Sequence, residues 1–181
     1  MKKNLGSMLA LYPMPATLVG AMVDGKPNWL QIAHVGVIGH DCLLVSSMKS
    51  HYTNSGIREM GVLSISLTNK EMLEKLDIAG SKSGAKTDKS DLFSWTSGSN
   101  GAPVPDEAPL TLVCTVVDNY ETKDFDNFIV SIDETLVDEK CLTEKEKPDY
   151  RKIAPVLFEF PTYSYWALGE KLGACLSFGR K

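Results

Sequence analysis

The sequence predicts a mainly β protein in which antiparallel strands form a barrel and a few helices lie at its periphery. Short apolar runs of strand length recur along the chain of 181 residues and outnumber the segments with helical spacing. These runs follow one another at a spacing that favours a barrel over a parallel sheet. The length fits one domain of ordinary size, so we expect residues 1–181 to form a single domain.

The first part of the chain predicts a β-hairpin followed by a third strand. Residues 16–23 are apolar and end at the turn-forming sequence Asp-Gly-Lys-Pro at 24–27. A second extended run, rich in Trp, Leu, Ile and Val, covers residues 28–38. Residues 42–48 then form a short buried strand after the sequence Gly-His-Asp at 39–41.

A short helix and an alternating strand come next. Thr53 offers a hydroxyl group as the cap of a helix at 54–60, and Gly61 is expected to end this helix. The sequence VLSISL at 62–67 alternates strictly between apolar and polar residues, which predicts a strand.

The second half of the chain predicts an amphipathic helix, a long loop and three more strands. Residues 70–79 carry apolar side chains near helical spacing, and Gly80 is expected to end the helix. Residues 81–100 are dense in Ser, Gly, Lys and Asp, and we expect this loop to fold over a ligand. The remaining strands are expected at 110–117, 128–137 and 156–160.

Composition and charge exclude several classes of function. Hydrophobic residues make up 43% of the chain and charged residues 23%, as in folded soluble proteins. The net charge of -4 provides no overall positive field for a nucleic acid or an anionic membrane. The sequence contains no signal-peptide pattern, and no apolar stretch approaches the roughly 20 residues of a membrane span. We therefore expect a cytoplasmic protein that binds neither nucleic acid nor a membrane.

The cysteines and histidines do not predict a metal or dithiol site. The cysteines are scattered, and Cys42 and Cys114 lie in apolar runs where a reduced thiol behaves as a small hydrophobe. His34, His40 and His51 lack the spacing of metal ligands. The chain also has no P-loop, no dinucleotide fingerprint and no G-x-S-x-G elbow, so the sequence supports neither triphosphate binding nor hydrolysis.

Two polar segments are candidates for binding a phosphate. Residues 46–53 contain hydroxyl groups, Lys49 and His51 where a strand ends and a helix begins, and free N–H groups at a helix N-terminus favour a phosphomonoester. The cluster at 81–89 could bring a lysine to the same ligand from the loop. In both cases an ordinary solvated loop is the alternative interpretation.

An aromatic group lies near the C-terminus. Tyr163, Tyr165 and Trp166 could form the wall of a planar ligand site, and packing or a dimer interface is the alternative.

Read together, these segments resemble the flavin reductase-like split-barrel family, and most closely its flavoredoxin branch. The resemblance covers nearly the whole chain and rests on the order and spacing of its segments. These are LYPMP at 11–15 with LVG at 18–20, MVDGKPN at 22–28, HYT at 51–53 with GIRE at 56–59, SGAKTDKS at 83–90 and ALGEKLG at 167–173.

The resemblance implies a homodimer of six-stranded antiparallel Greek-key split β-barrels with FMN bound at the dimer interface. Backbone groups of the strand after the first turn would meet the pyrimidine edge of the flavin, at Asn28, Trp29, Leu30, Gln31 and Ile32. The ribityl chain and phosphate would contact Ser46, Met48, Lys49, His51 and Thr53, with Ser83, Lys86 and Lys89 closing over them from the loop. Trp166 would supply an aromatic wall, either within its own subunit or across the interface.

Some positions differ from those of the relatives. Ala79 stands where many relatives have a cysteine, which excludes thiol chemistry at that point. His51 stands where relatives often carry arginine, so a positive charge at the phosphate would depend on pH. Phe125 and Val130 stand where flavin reductases often carry histidine and glycine.

The resemblance leaves three functions open. The leading hypothesis is an oxidoreductase or electron-transfer flavoprotein in which FMN passes electrons from NAD(P)H or a ferredoxin-type donor and no side chain is catalytic. The alternatives are a non-catalytic FMN-binding protein and a split barrel without a cofactor.

Overall fold

A curled antiparallel β-sheet is the centre of the computed structural model, which describes residues 1–179. The strands are β1 (Met14–Pro15), β2 (Thr17–Val23), β3 (Lys26–Ile32), β4 (Val35–Val37), β5 (Cys42–Met48), β6 (Val62–Leu67), β7 (Trp95–Ser97), β8 (Pro103–Pro105), β9 (Leu110–Glu121), β10 (Phe125–Val137), β11 (Val156–Glu159) and β12 (Ser164–Ala167). The helices are α1 (Thr53–Met60), α2 (Leu73–Ser81) and α3 (Tyr150–Ile153), with 3₁₀ turns at Lys70–Met72 and Glu139–Cys141.

The main sheet has the strand order β3-β2-β6-β9-β10-β5-β4, and all neighbours are antiparallel. Strands β6, β9 and β10 are neighbours in the sheet and occur in the same order along the chain. The next strand in the sheet is β5, which precedes β6 in the chain, so the connection is of the Greek-key type. The prediction of a mainly β split barrel is therefore confirmed. Two small sheets, β1-β11-β12 and β7-β8, accompany it.

The sheet has seven strands, so the expected number of six is wrong. The single run expected at 28–38 is divided, because the chain leaves β2 at Ile32 and resumes pairing with β5 at Val35. The backbone N–H of Ser46 donates to the carbonyl of His34 at 2.9 Å within this change of partner. Strands β3 and β4 consequently form the two edges of the sheet.

The alternation of side chains along the strands produces two apolar cores. On β2, Val19 and Ala21 point into the barrel core, while Leu18 points to a second core under α2. On β3, Leu30 belongs to the barrel core and Trp29 to the second core, where its ring lies 5.5 Å from that of Phe93. Both faces of β3 are therefore packed against apolar cores, and this packing fixes the position of its backbone.

The first hairpin is confirmed, with a shorter turn than the sequence suggested. Asp24 and Gly25 have φ angles of 51° and 76°, as in the two-residue turns that match the twist of antiparallel strands. Lys26 and Pro27 already belong to β3.

Two of the expected helix boundaries are wrong. Thr53 does not cap α1, because its buried hydroxyl oxygen accepts a 2.7 Å hydrogen bond from Asn28 Nδ2, and Tyr52 takes the N-cap position. Gly80 does not end α2, which continues to Ser81. Gly61 does end α1, with φ of 67° and its N–H bonded to the carbonyl of Ile57.

Two of the remaining strands are longer than expected, since β9 extends to Glu121 and β10 begins at Phe125. The strand expected at 156–160 is one residue shorter and ends at Glu159. Five short elements carried no recognised signal: β1, β7, β8, β12 and α3. Among the described residues, no helix combines the length and the apolar character needed to cross a membrane.

Candidate functional site

Two adjoining cavities lie beside β3, on the side of α2 and the loop that follows it. The first, called the aromatic cavity, has a volume of about 470 Å³ and is lined by Gln31, Ile32, Ala33, His34, Ser46, Met48, His51, Asp77, Gly80, Ser81, Phe125, Phe158, Phe160, Tyr163 and Tyr165. The second, called the lysine cavity, has a volume of about 350 Å³ and is lined by Leu30, Ser50, His51, Tyr52, Thr53, Gly80, Ser81, Lys82, Ser83, Gly84, Lys86 and Lys89. Because they share His51, Gly80 and Ser81, one elongated ligand can extend through both.

The aromatic cavity is walled by rings from several strands. Phe158 on β11 lies 5.8 Å from Tyr165 on β12, and Phe160 lies 4.9 Å from Tyr163, measured between ring centroids. Phe125, at the start of β10, completes this wall. Such a surface suits a planar, largely apolar group.

His34 and Tyr12 form a hydrogen-bonded pair at the edge of the aromatic cavity. The hydroxyl of Tyr12 and Nε2 of His34 are 2.8 Å apart. Burial lowers the pKa of His34 and raises that of Tyr12, so both groups favour their neutral forms.

Gln31 and Tyr165 provide a polar point inside the aromatic cavity. The Tyr165 hydroxyl lies 2.9 Å from Gln31 Oε1 and 3.0 Å from Asp77 Oδ1. Burial, assisted by the hydrogen bond to Asp77, raises the pKa of Tyr165 to about 12. A Cβ at Gly80 would lie 2.5 Å from Gln31 Oε1, so glycine at this position lets α2 approach Gln31 closely.

Lys89 provides a buried cation in the lysine cavity. Only 4% of the residue is exposed, and its ammonium group donates to the carbonyls of Ala79 at 3.0 Å and Lys82 at 3.1 Å. Burial lowers the pKa of Lys89 to about 8. An ammonium group has three N–H donors, so one donor remains after the two carbonyls at the end of α2 are satisfied.

The loop that carries Lys86 and Lys89 is tied to β3. Lys26 forms a 2.8 Å ion pair with Asp88, and this pairing holds the pKa of Asp88 far below its ordinary value. A Cβ at Gly84 would lie 2.3 Å from Asn28 Oδ1, so the loop packs directly on the strand at this glycine.

Most of the predicted site residues lie together. Those in the aromatic cavity are Gln31, Ile32, Ser46, Met48 and His51. Those in the lysine cavity are Leu30, His51, Thr53, Ser83, Lys86 and Lys89.

Four predicted residues lie elsewhere. Asn28 bonds to Thr53 and lines a neighbouring third cavity of about 390 Å³. The Trp29 side chain is fully buried in the second core, so only its backbone is available to a ligand. Lys49 pairs with Glu121 at 2.6 Å, and Trp166, 57% exposed, lines neither cavity.

The sequence did not indicate four residues of the aromatic cavity: His34, Phe125, Phe158 and Phe160. Tyr165 and Lys82 belong to segments that the sequence singled out, but neither was chosen as a site residue. A recognisable signal existed for Tyr165, because neighbouring residues of a strand face opposite sides. When Trp166 points outward from β12, Tyr165 points inward. Phe125 offered no comparable signal, since its place depends on the pairing of β10 with β5.

The cysteines line neither cavity, and the side chains there form no metal site. All four cysteines are free, and burial raises the pKa of the Cys114 thiol to about 12. Within residues 1–179, no group of three or more His, Cys, Asp or Glu side chains is arranged to hold a metal ion.

Comparison with known proteins identifies the family. A family model described as "Flavin reductase like domain" matches residues 8–166. The fold is also that of two solved flavoredoxins. The one from Methanosarcina acetivorans is 37% identical, with a TM-score of 0.95 over 99% of this chain and 98% of that one. The one from Desulfovibrio vulgaris (Miyazaki F) is 33% identical, with a TM-score of 0.93 over 99% of this chain and all of that one (100%).

A sequence relative supports the same family assignment over a shorter stretch. An uncharacterized protein of Archaeoglobus fulgidus is 31% identical over 138 residues, which cover 73% of this chain and 77% of that protein. The chain therefore belongs to the flavin reductase-like family, and the resemblance noted in the sequence is confirmed.

Proposed function

We propose that the protein binds FMN through both cavities and works as a flavin-dependent oxidoreductase or electron-transfer protein. The observation that carries this proposal is the joining of an aromatic cavity to a cationic one at His51. FMN has the same two parts, a planar ring system and a phosphate, connected by a polar chain. Each cavity alone falls within the usual size range of ligand sites.

The lysine cavity fits the phosphate end. Lys89 has a donor left over after its two carbonyl bonds, and Lys82 and Lys86 add two more cations at the rim. A buried ammonium group is costly without a compensating negative charge. A phosphate monoester would supply that charge and accept several charge-assisted hydrogen bonds.

The aromatic cavity fits the ring end. Strand β3 pairs with β2 on one side and has no other strand partner among the described residues, so backbone groups on its free side can bind the polar edge of a ring. Gln31 adds a side-chain amide near the same edge. The aromatic side chains would cover the apolar part of the ring system and exclude water from it.

The protein's own part in this function is binding, orientation and exclusion of water. When bound, FMN would supply the redox chemistry by accepting and passing on electrons. The pKa of Tyr165 is raised to about 12, so this residue stays a neutral hydrogen-bond donor over the working pH range. No side chain of the cavities is needed as a nucleophile or a proton donor.

We also propose that the working form is a homodimer in which the second copy covers the site. Several large apolar side chains near the two ends of the chain are exposed, as expected of surfaces that a partner covers. They are Leu5, Met8, Leu9, Leu11, Trp166, Leu168 and Leu172. In such a dimer Trp166 of either copy can serve as an aromatic wall, as the family resemblance implied.

A titration tests the binding proposal. FMN is added to the purified protein and its fluorescence quenching is followed, for the parent chain and for Lys86→Ala. Saturable binding to the parent is expected, and we expect the variant to bind about three- to tenfold more weakly because it loses one partly exposed charge-assisted contact. Lys145→Ala, which removes an exposed lysine outside both cavities, is the matched control. Failure of the parent to bind FMN contradicts the proposal.

Anaerobic reduction separates the oxidoreductase from the non-catalytic alternative. The FMN-loaded protein is mixed with NADH, NADPH or a reduced ferredoxin, and the visible absorbance of the flavin is followed. Bleaching by a nicotinamide indicates a reductase, and bleaching by ferredoxin alone indicates an electron carrier. Absence of bleaching with every donor favours a binding protein without turnover.

A further inference from the structure

A chain of polar side chains runs from a buried carboxylate to His51, where the two cavities meet. Its first member is Asp126 on β10, which is fully buried and forms an ion pair with Arg58 of α1. Although burial disfavours a charge, hydrogen bonds from Arg58 and Asn54 hold the pKa of Asp126 below its ordinary value. Asp126 is therefore an anion and can only accept hydrogen bonds.

Asn54 is the second member, and its orientation is fixed by its partners. Its Nδ2 donates to Asp126 Oδ2 at 2.7 Å and to the carbonyl oxygen of Met48 at 3.0 Å. Both partners are pure acceptors, so both protons of the amide nitrogen are used. The other amide atom, Oδ1, must then face Ser47.

Ser47 is the third member and has a single proton to donate. Its hydroxyl lies 2.7 Å from Asn54 Oδ1, which is an acceptor, so the proton points to Asn54. Ser47 Oγ also lies 3.0 Å from His51 Nδ1. With its own proton committed, the oxygen can only accept there, and Nδ1 of His51 must carry a hydrogen.

We infer that this chain fixes neutral His51 as the Nδ1–H tautomer, and that its Nε2 accepts a hydrogen bond from a ligand hydroxyl where the cavities meet. His51 lines both cavities, and Nε2 has no hydrogen-bond partner within residues 1–179. Ser47, Asn54 and Asp126 are positioning residues that act through the ring. The ligand part rests on the proposed function, since the hydroxyls of FMN lie on the chain between ring and phosphate.

The tautomer is tested without any ligand. Nitrogen-15 NMR of the imidazoles at pH 8 distinguishes a protonated Nδ1 from a protonated Nε2, and the His51 signals are assigned with the variant His51→Gln. We expect Nδ1–H in the parent. Ser47→Ala removes the acceptor, and we expect the signals to move toward the Nε2–H form. The control is Ser55→Ala, an exposed serine of α1 that bonds only to the carbonyl of Tyr52.

Two results overturn the tautomer inference. One is an Nε2–H tautomer in the parent, and the other is an unchanged tautomer in a folded Ser47→Ala variant. The ring signals report the position of a proton, so a general loss of packing does not imitate the expected change.

The ligand part is tested by FMN titration at the same pH. We expect His51→Leu to bind FMN about three- to tenfold more weakly, the usual effect of losing one neutral hydrogen bond. His51→Gln, whose amide oxygen can still accept, should recover most of that loss. Equal affinity of the parent and His51→Leu overturns the ligand part while the flavin proposal stands. Absence of FMN binding to the parent overturns both the ligand part and the flavin proposal. The tautomer inference is then judged by the NMR measurement alone.

Discussion

Burial in the lysine cavity changes the chemistry of Lys89. Its pKa is lowered to about 8 by burial, so near pH 8 the free protein begins to lose this positive charge. A bound phosphate favours the charged form and raises the pKa in the complex. Binding between these two pKa values therefore takes up a proton, and affinity should fall as pH rises through this range.

The pH dependence of FMN binding tests this. We expect the dissociation constant of the parent to rise by up to tenfold per pH unit above about pH 8. His51, whose pKa is lowered by burial and by Lys89, is already neutral there. Lys89→Gln should bind FMN more weakly at pH 7 and show a flatter profile above pH 8. The same slope in parent and variant would assign the effect to another group.

At the residue scale, the sequence predicted the types of side chain in the site better than the directions in which those side chains point. Composition marked the 81–89 loop as a candidate, and the family resemblance implied Ser83, Lys86 and Lys89, which all line the lysine cavity. Trp166 was chosen in place of its neighbour Tyr165, because β12 had not been recognised and its alternation was unknown. The ion pair that holds Lys49 could not be predicted, because its partner Glu121 lies 72 positions away in the chain.

At the scale of elements, α1 lies so close to β2 that one helical glycine is required. A Cβ at Gly56 would lie 2.0 Å from the carbonyl oxygen of Met22, a backbone atom of β2 that is held by pairing with β3. The Gly-to-Ala exchange normally stabilises a helix interior by about 1 kcal/mol. At Gly56 the close contact with Met22 outweighs this gain, so the exchange should destabilise the protein.

We expect Gly56→Ala to lower the free energy of unfolding by about 2–3 kcal/mol, as for an overpacked core. Urea unfolding followed by circular dichroism measures the change. Gly36→Ala on the edge strand β4 is the control, because a Cβ there has no atom within 4 Å, and its effect should stay below about 1 kcal/mol. Equal stability of Gly56→Ala and the parent would contradict the close packing of α1.

The sequence predicted the longer elements because alternation and helical spacing are local properties. The strand at 62–67 and the hairpin at 24–25 needed no knowledge of distant residues. The division between β3 and β4 depends on a change of pairing partner, which no local pattern reports. For the same reason Thr53 was misread as a cap, since its partner Asn28 lies 25 positions earlier.

At the scale of the whole molecule, the aromatic cavity is open to solvent on its outer side. The aromatic cavity opens where Tyr163 and Phe160 are exposed, close in the chain to the exposed Trp166. A second copy over this opening would bury the apolar side chains at both ends of the chain and remove water from the ring end of the site.

Sedimentation velocity tests the dimer. We expect a species of twice the 19.8 kDa chain mass, and we expect Trp166→Asp to weaken both dimerisation and FMN binding. Glu144→Ala, which changes an exposed residue that lines neither cavity, is the control. A monomeric parent that binds FMN with full affinity would show that one copy forms the complete site.

If the proposed function is right, the lysine cavity recognises the phosphate of FMN. The most direct test of this recognition is the ratio of the dissociation constants of riboflavin and FMN, measured for the parent and for Lys86→Ala under the same salt. Riboflavin has the same ring and polyol without the phosphate, so we expect tighter binding of FMN by the parent and a smaller ratio for the variant. Equal affinities of the parent for the two flavins, or the same ratio in the variant, would contradict it.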